Sequence, residues 1–545
     1  MKIKKKFKDL TEDDIFEIEK IYTSKEISWD AKERKLAKYT GRSARTARKW
    51  AEKLGFTNPV EPKSPQFEKA KKKKISKKKK RYIITWAQNN TPVHEVFLRN
   101  IEAYAKEIDA EIIVIAGRYK NPTSVFSDKN VDTWHSRVMP YLYAGKHAIH
   151  KHLIVVGDVK ISPTAVIPMT AMEGFSGSES CIFGHPKAQM QMIPVLEDCP
   201  PKKMMTTGAC TVANYTDSKA GKKGEFHHTL GFVIAEVKDN DVFFSRQVTA
   251  TDDGNFNDLY YNVTFKGGNK KVNVVPGLTF LTDEVEGEAN VSKNKTVDAA
   301  ILGDIHFGVH DQKVLDSTVN VLFDKLKPKE VVLHDVFDGY SISHHDEKDP
   351  FAQYHKEVDG RNDLGKEIEL MLEGLEQFSE YKCIIVRSNH DDFLDRWLTR
   401  ADWKKQSTMK NTLWYFKFST LLAERNAPKG IIPYVIEERF PNFVTLGRSD
   451  SYRVNSWEVG QHGDIGASGS RGSINQFRRL NTKMIIGHSH SPNRKDGVIQ
   501  VGTSTKLRIG YNIGPSSWLQ SHAIIHGDGK AQQIDFINGE FTTFE

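Results

Sequence analysis

From Thr296 onward one pattern recurs: a short apolar run, a polar cluster, then an amphipathic stretch. Ala299-Ala300-Ile301-Leu302 leads into Gly303-Asp304-Ile305-His306, and Val331-Val332-Leu333 into His334-Asp335-Val336-Phe337-Asp338. Cys383-Ile384-Ile385-Val386 leads into Arg387-Ser388-Asn389-His390-Asp391, and Met484-Ile485-Ile486 into Gly487-His488-Ser489-His490. Between them, Leu315, Val319, Leu322 and Leu326 recur at spacings of four, three and four, as Leu364, Ile368, Met371, Leu375 and Phe378 do at four, three, four and three. That is the period of helices laying one apolar stripe on a sheet. Strands alternating with such helices predict an α/β fold, and open α/β sheets collect their ligands beyond the carboxyl ends of the strands.

The residue types at those ends are those of a metal site. Asp304 and His306, two apart on extended chain, present an oxygen and a nitrogen on one face, and His488 and His490 present two nitrogens in the same way. Asp335 can bridge two cations with its two oxygens. Asn389 offers a neutral oxygen, and His462, in Gln461-His462-Gly463-Asp464, a further nitrogen. A mixed nitrogen and oxygen set without thiolate suits manganese, iron or zinc better than magnesium. Two such ions, about 3.5–4 Å apart, can generate a hydroxide and clamp a phosphate during in-line displacement.

In type, order and spacing, the series Asp304-x-His306, Asp335, Asn389-His390, His462, His488-x-His490 resembles the calcineurin-like metallophosphoesterase superfamily, including its DNA double-strand-break repair nucleases. The resemblance covers roughly residues 296–535 and implies a metallophosphoesterase β-sandwich flanked by helices over 296–545. It implies one divalent cation on Asp304, His306, Asp335 and His490, and a second on Asp335, Asn389, His462 and His488. Manganese is the expected metal, with magnesium, iron or zinc as alternatives. His390 would face the scissile phosphate as the catalytic residue, with Asp338 and Asp391 orienting ligands. This chain departs from the family in three places. His334 and Ser388 stand where glycines are usual, and Asp338 stands where the repair nucleases often have histidine.

The rest of the chain divides into three parts. Residues 1–58 read as a small helical module. Leu36, Ala37 and Tyr39 line one helix, Gly41 marks a turn, Ser43 caps a second helix, and Ala47, Trp50 and Leu54 form its buried stripe. Its other face carries Arg45, Arg48 and Lys49. Two readings stand side by side, a helix-turn-helix that binds DNA and a helical hairpin with a solvated basic face. Residues 59–81 form a basic linker, in which like charges would hold the chain extended. Lys72, Lys73, Lys78 and Lys79 belong to it, either as phosphate contacts or as a solubilising spacer. Residues 82–290 carry the signals of a second α/β domain of unassigned role. Tyr82–Thr85, Ile112–Ile115 and Leu153–Val156 read as strands of a βαβ-like unit, with Val96, Ile101, Tyr104 and Ile108 on a helix between the first two. His185 and the pair His227-His228 lack acidic partners at ligand spacing and read as core or surface histidines.

Charge distribution bears on the substrate. The formal charge is +9, but ten Lys or Arg lie between Lys69 and Arg81, so the remainder carries −1. Four cysteines without paired spacing argue against a disulfide framework or a thiolate zinc site. No apolar run reaches the roughly 18 residues of a membrane span, and no apolar signal segment follows the basic start, so an intracellular site of action is expected. The basic segment and the helical module favour a long polyanion such as DNA. His344 and His345 could add phosphate contacts or form a surface loop, and Arg471, Arg478 and Arg479 form either a solvated helix face or a backbone clamp. The layout resembles the early, host-DNA-degrading first-step-transfer proteins of tequintavirus-type phages. This implies a manganese-dependent DNase, homo-oligomeric, in the cytoplasm of an infected bacterial host. Two other functions fit the same residues: a phosphatase or phosphodiesterase acting on a nucleotide or phosphoprotein, and a DNA-binding or transfer protein with a vestigial metal site.

Overall fold

The computed structural model describes residues 6–24, 29–56, 64–76, 79–121, 132–175, 177–267, 272–275, 278–281, 286–293, 296–400, 409–510 and 512–544. The chain forms two compact units, Met1–Glu68 and Lys69–Glu545.

In the first unit, helices span Glu12–Thr23, Trp29–Thr40 and Ala44–Lys53. Thr11 and Asp14 cap the first reciprocally, and the Ser43 hydroxyl accepts from the Thr46 N–H at the start of the third. Each satisfies helix-terminal N–H groups that would otherwise lack partners. Gly41, at φ 65°, makes the turn between the second and third helices. Ile18, Tyr22, Leu36, Ala47 and Ala51 form the core, with Trp50 also buried. Arg45, Arg48 and Lys49 lie exposed on the third helix, as its apolar stripe requires.

The basic segment differs from the extended chain its charge suggests. Pro65–Lys72 is an α-helix. Pro65 is set for a first helical position, and the apolar Phe67 and Ala70 are buried. Charge repulsion acts only on the exposed lysines, so burial of the other face decides the conformation. Beyond it, Ile75 enters the core of the second unit.

The second unit contains three large sheets. The first has five strands in the order Phe243–Thr249, Gly231–Val237, Arg81–Gln88, Ala110–Gly117 and Leu142–Tyr143. Arg81–Gln88 and Ala110–Gly117 run parallel and are joined by the helix Glu95–Glu107, the expected βαβ arrangement. The strand Leu153–Val156 forms where its sequence predicts, but not in this sheet. It pairs antiparallel with Lys146–His150 and parallel with Ser180–Phe183. A run buried on both faces carries no mark of its sheet, so local sequence does not decide its partners.

A six-stranded sheet follows the order Val444–Thr445, Cys383–Val386, Glu330–His334, Ala299–Ile301, Ser521–Ile525 and Ala531–Asp535. Its first four strands are parallel. The third sheet has ten strands and draws on both halves of the unit. Arg453–Val454, Trp457–Glu458, Lys483–Ile486, Val498–Gln500 and Asn493–Lys495 continue into Met190–Ile193, Lys202–Thr206, Ser180–Phe183, Leu153–Val156 and Lys146–His150. At the join, Asn493 lies opposite Gln191 and Arg494 opposite Met190. Residues 82–290 and 296–545 therefore share one sheet. Buried ion pairs Lys187–Asp496 and Lys203–Asp535 also link them.

Ile301, Val332 and Ile384 of the six-stranded sheet share one apolar core with Trp457, Ile485 and Ile499 of the ten-stranded sheet. The parallel strands of these two layers end on the same side of that core, where the polar clusters begin. The helix Leu364–Leu375 buries Leu364, Ile368, Met371 and Leu375, the stripe read from the sequence. Among the described residues no helix is long and apolar enough to cross a membrane.

Candidate metal centre

Asp304 and His306 follow the strand Ala299–Ile301, Asp335 follows Glu330–His334, Asn389 and His390 follow Cys383–Val386, and His488 and His490 follow Lys483–Ile486. His462 arrives on the loop after Trp457–Glu458, its carbonyl accepting from the Gly487 N–H at 2.8 Å. Glycine is required beside them. A Cβ on Gly303 would stand 2.7 Å from the Gly502 backbone, and one on Gly487 would stand 2.3 Å from Asp304 Oδ1. His306, Asp335, His488 and His490 have left-handed backbones, at φ 48°, 50°, 73° and 57°. Each costs on the order of 1 kcal/mol or more for a non-glycine residue, and such strain gathers where geometry serves function.

The side chains converge. His306 Nε2 lies 3.2 Å from His490 Nε2 and 3.3 Å from Asp335 Oδ2, and His490 Nε2 lies 3.1 Å from Asp304 Oδ2. On the other side of Asp335, the same Oδ2 is 3.5 Å from His462 Nε2. His488 Nδ1 is 3.1 Å from Asn389 Oδ1. Asp335 thus stands between two groups of donors. Ligands held about 2.0–2.2 Å from one ion stand roughly 3.0–3.4 Å apart, so these separations suit a shared cation.

Burial sharpens the case. Asp304, His306, Asp335, His462 and His490 are at most 5% exposed, whereas Asn389, His390 and His488 are half-buried and mark the open side. Both oxygens of Asp304, Oδ1 of Asp335, both ring nitrogens of His462 and Nδ1 of His490 have no hydrogen-bond partner. Buried polar groups are normally satisfied, and so many orphans in one place are what a cation site would leave. A buried cluster of Asp and His here could therefore hold a metal ion; Asp304, His306, Asp335 and His490 have donor atoms within 4.8 Å of one another.

Electrostatics points the same way. Burial pushes the Asp335 carboxyl up, but His306, His390 and His462 outweigh it and hold the group well below its ordinary range. Burial pushes the His306 and His462 rings down, but Asp335 and Asp338 beside the first, and Asp304 and Asp335 beside the second, raise both to about 9. Protons on these rings balance carboxylate charge that a cation would otherwise balance.

His390 Nδ1 lies 2.6 Å from the carbonyl oxygen of Asp338, and its ring is 4.5 Å from that of His306. Asp338 Oδ1 is 3.4 Å from His306 Nδ1, and its Oδ2 is 3.7 Å from Arg361. Asp391 accepts from the Ser388 N–H at 2.9 Å, while the Ser388 hydroxyl accepts from the N–H groups of His390 and Asp391. Ser388 thus fixes the turn that carries Asn389 and His390. The His344 and His345 rings lie 4.0 Å apart, tilted by 37°, and both rings contact Phe393, which in turn lies 4.6 Å from His390.

The predicted DNA contacts are placed differently from one another. Arg45 and Lys49 are exposed, and Arg48 pairs with Glu52 at 2.8 Å. Lys72 is exposed. Lys73 bonds the Pro140 carbonyl and Lys79 pairs with Asp109, so both are engaged within the chain; Lys78 lies outside the described residues. His185 and His228 are bonded within the fold, to Ser162 and to Tyr215 and Thr211. Arg478 is tied to Asp496 at 3.0 Å. Sequence reasoning missed Trp518, whose ring lies 4.1 Å from His490, and Arg361, which stacks on Tyr340 at 3.8 Å. Neither stands in a motif, and no local pattern marks them. His334 drew notice only as a departure.

No known family profile matches the chain. Protein A1 of Escherichia phage T5 is 30% identical to it over 493 residues, which cover 85% of this chain and 83% of that protein. The chain belongs to the phage T5 Protein A1 family. A match covering 85% of the chain is longer than residues 296–545, so it extends well before residue 296. A solved structure matching 44% of this chain and 98% of its own, at 12% identity and a TM-score of 0.23, carries no argument.

Proposed function

We propose that this phage protein is a two-metal phosphodiesterase of the metallophosphoesterase type whose substrate is DNA, acting early in infection on host DNA. One observation carries the reading: Asp335 Oδ2 stands 3.3 Å from His306 and 3.5 Å from His462, a bridging position inside a nest of unpartnered buried donors. Asp304, His306, Asp335 and His490 would hold one cation, and Asp335, Asn389, His462 and His488 the other. Bound divalent cations supply Lewis acidity toward a phosphate and a water of lowered pKa.

The chain's own groups do the rest. A carbonyl oxygen only accepts, so His390 Nδ1 donates to Asp338, and Nε2 remains for the open side. When protonated, Nε2 donates to a phosphate oxygen and can pass its proton to the leaving oxygen. Asp338 steadies His306 and Arg361, and Asp391 steadies the Ser388 turn. DNA as substrate rests on the exposed Arg45, Arg48 and Lys49 and on the exposed Lys69, Lys72, Lys74 and Lys80, which would neutralise backbone phosphates.

The test is a cleavage assay on the full-length protein, stripped of metal and reloaded with Mn2+, Mg2+, Fe2+ or Zn2+. Circular and linear DNA, single- and double-stranded, are offered beside a small phosphodiester. Cleavage with Mn2+ that disappears in His390→Ala is the expected result. DNA left intact under every metal overturns it, and turnover confined to the small ester points to a nucleotide or phosphoprotein substrate.

A further inference from the structure

His334 ends the strand Glu330–His334 with its side chain fully buried. Its carbonyl accepts from Ile305 N–H at 3.2 Å, but neither ring nitrogen has a hydrogen-bond partner. An imidazole buried with both nitrogens unsatisfied carries a desolvation penalty that a leucine or methionine of similar size would avoid.

The surroundings show what the ring faces. It lies 5.6 Å from the ring of His462, the planes inclined by 34°. One donor atom each from His334, Asp304 and His462 fall within 4.8 Å of one another. Every candidate donor atom of that trio, two carboxylate oxygens and four ring nitrogens, is buried without a hydrogen bond. Gly487 keeps the space clear, since a Cβ there would meet Asp304 Oδ1 at 2.3 Å and His334 Cγ at 3.2 Å.

We infer that His334 is itself a metal ligand, supplying an imidazole nitrogen to the cation assigned above to His462, with Asp304 close enough to reach the same ion. The inference rests on the metal-centre reading above and goes beyond its seven ligands. A histidine at this position adds a nitrogen donor where a glycine would add none. It shifts the site toward manganese, iron or zinc and away from magnesium.

The experiment uses the full chain, metal-stripped and titrated with Mn2+ alone, with no substrate. Free Mn2+ is read by electron paramagnetic resonance, and imidazole nitrogens coupled to bound Mn2+ are counted by its pulsed form in protein carrying 15N-histidine. His334→Leu is expected to weaken one Mn2+ at least tenfold and to remove one coupled nitrogen. His334→Asn gives the same readout if the leucine variant fails to fold by circular dichroism. An unchanged nitrogen count overturns the inference, including the case where affinity falls, because His334 would then only pack beside the ligands. His306→Ala is the control. If it too leaves Mn2+ binding untouched, the metal centre itself is wrong, and the failure does not lie with His334.

Discussion

The ring of His390 is held by a 2.6 Å hydrogen bond from its Nδ1 to the carbonyl oxygen of Asp338, three residues beyond the carboxylate at the middle of the cluster. The bond fixes which nitrogen is free. His390→Ala should therefore lower phosphodiester turnover by about 10²–10⁴-fold, the usual contribution of a positioned acid or base. Mn2+ binding should stay within a factor of about three of wild type, because the ring orients on Asp338 and not on the ligands. Parallel cleavage rates and metal titrations check both halves.

Asp335→Asn addresses the bridge. The amide keeps the shape but removes the charge that draws His306 and His462 together. Loss of both bound ions by elemental analysis after dialysis is expected, together with loss of cleavage. Retention of two ions would show that Asp335 is not shared.

The pH dependence has a definite sign. His306 and His462, raised to about 9 from an ordinary 6.5, stabilise the metal-free protein fully below about pH 6.5 and lose that contribution as pH rises through about 9. A cation displaces the same protons, so Mn2+ affinity should climb toward pH 9, by up to tenfold per unit for each proton released. Thermal melts with and without Mn2+ from pH 6 to 9 should diverge as pH increases.

Arg45, Arg48 and Lys49 form an exposed basic face whose exchange to alanine should weaken DNA binding. The salt dependence of binding should become shallower, its slope falling by roughly one for each phosphate that is no longer neutralised. Turnover of a small phosphodiester should be unchanged. Binding isotherms at several salt concentrations test this, and an unaltered slope would assign these side chains to solvent.

Much of the fold around the cluster was legible in the sequence. The runs at 299, 331, 383 and 484 are strands within one residue at each end, and the stripes from Leu315 and from Leu364 are helical. Periodicity reports a local property, namely which face is buried, and that property was enough. What it could not report was pairing between distant strands. Nothing in Leu153–Val156 says that it joins a different sheet from Ile112–Ile115, and nothing in Met190 or Arg494 says that they are neighbours. In the candidate centre, residue types at strand ends pointed to the donors. The inward position of His334 and the approach of Trp518 depend on how loops fold over those ends, which spacing does not encode.

The join between Met190–Ile193 and Asn493–Lys495 has a consequence for how such a protein can change over generations. The strand Lys483–Ile486, which leads to His488 and His490, sits in a sheet completed by residues some 300 positions earlier. A crossover between related phages near residue 290 would bring together two sheet edges that had never been matched. Strands from Lys146–His150 to Val498–Gln500 are bound into that one sheet, so a change at either side of the join must be met at the other, whereas the helices of the first unit enclose a core of their own.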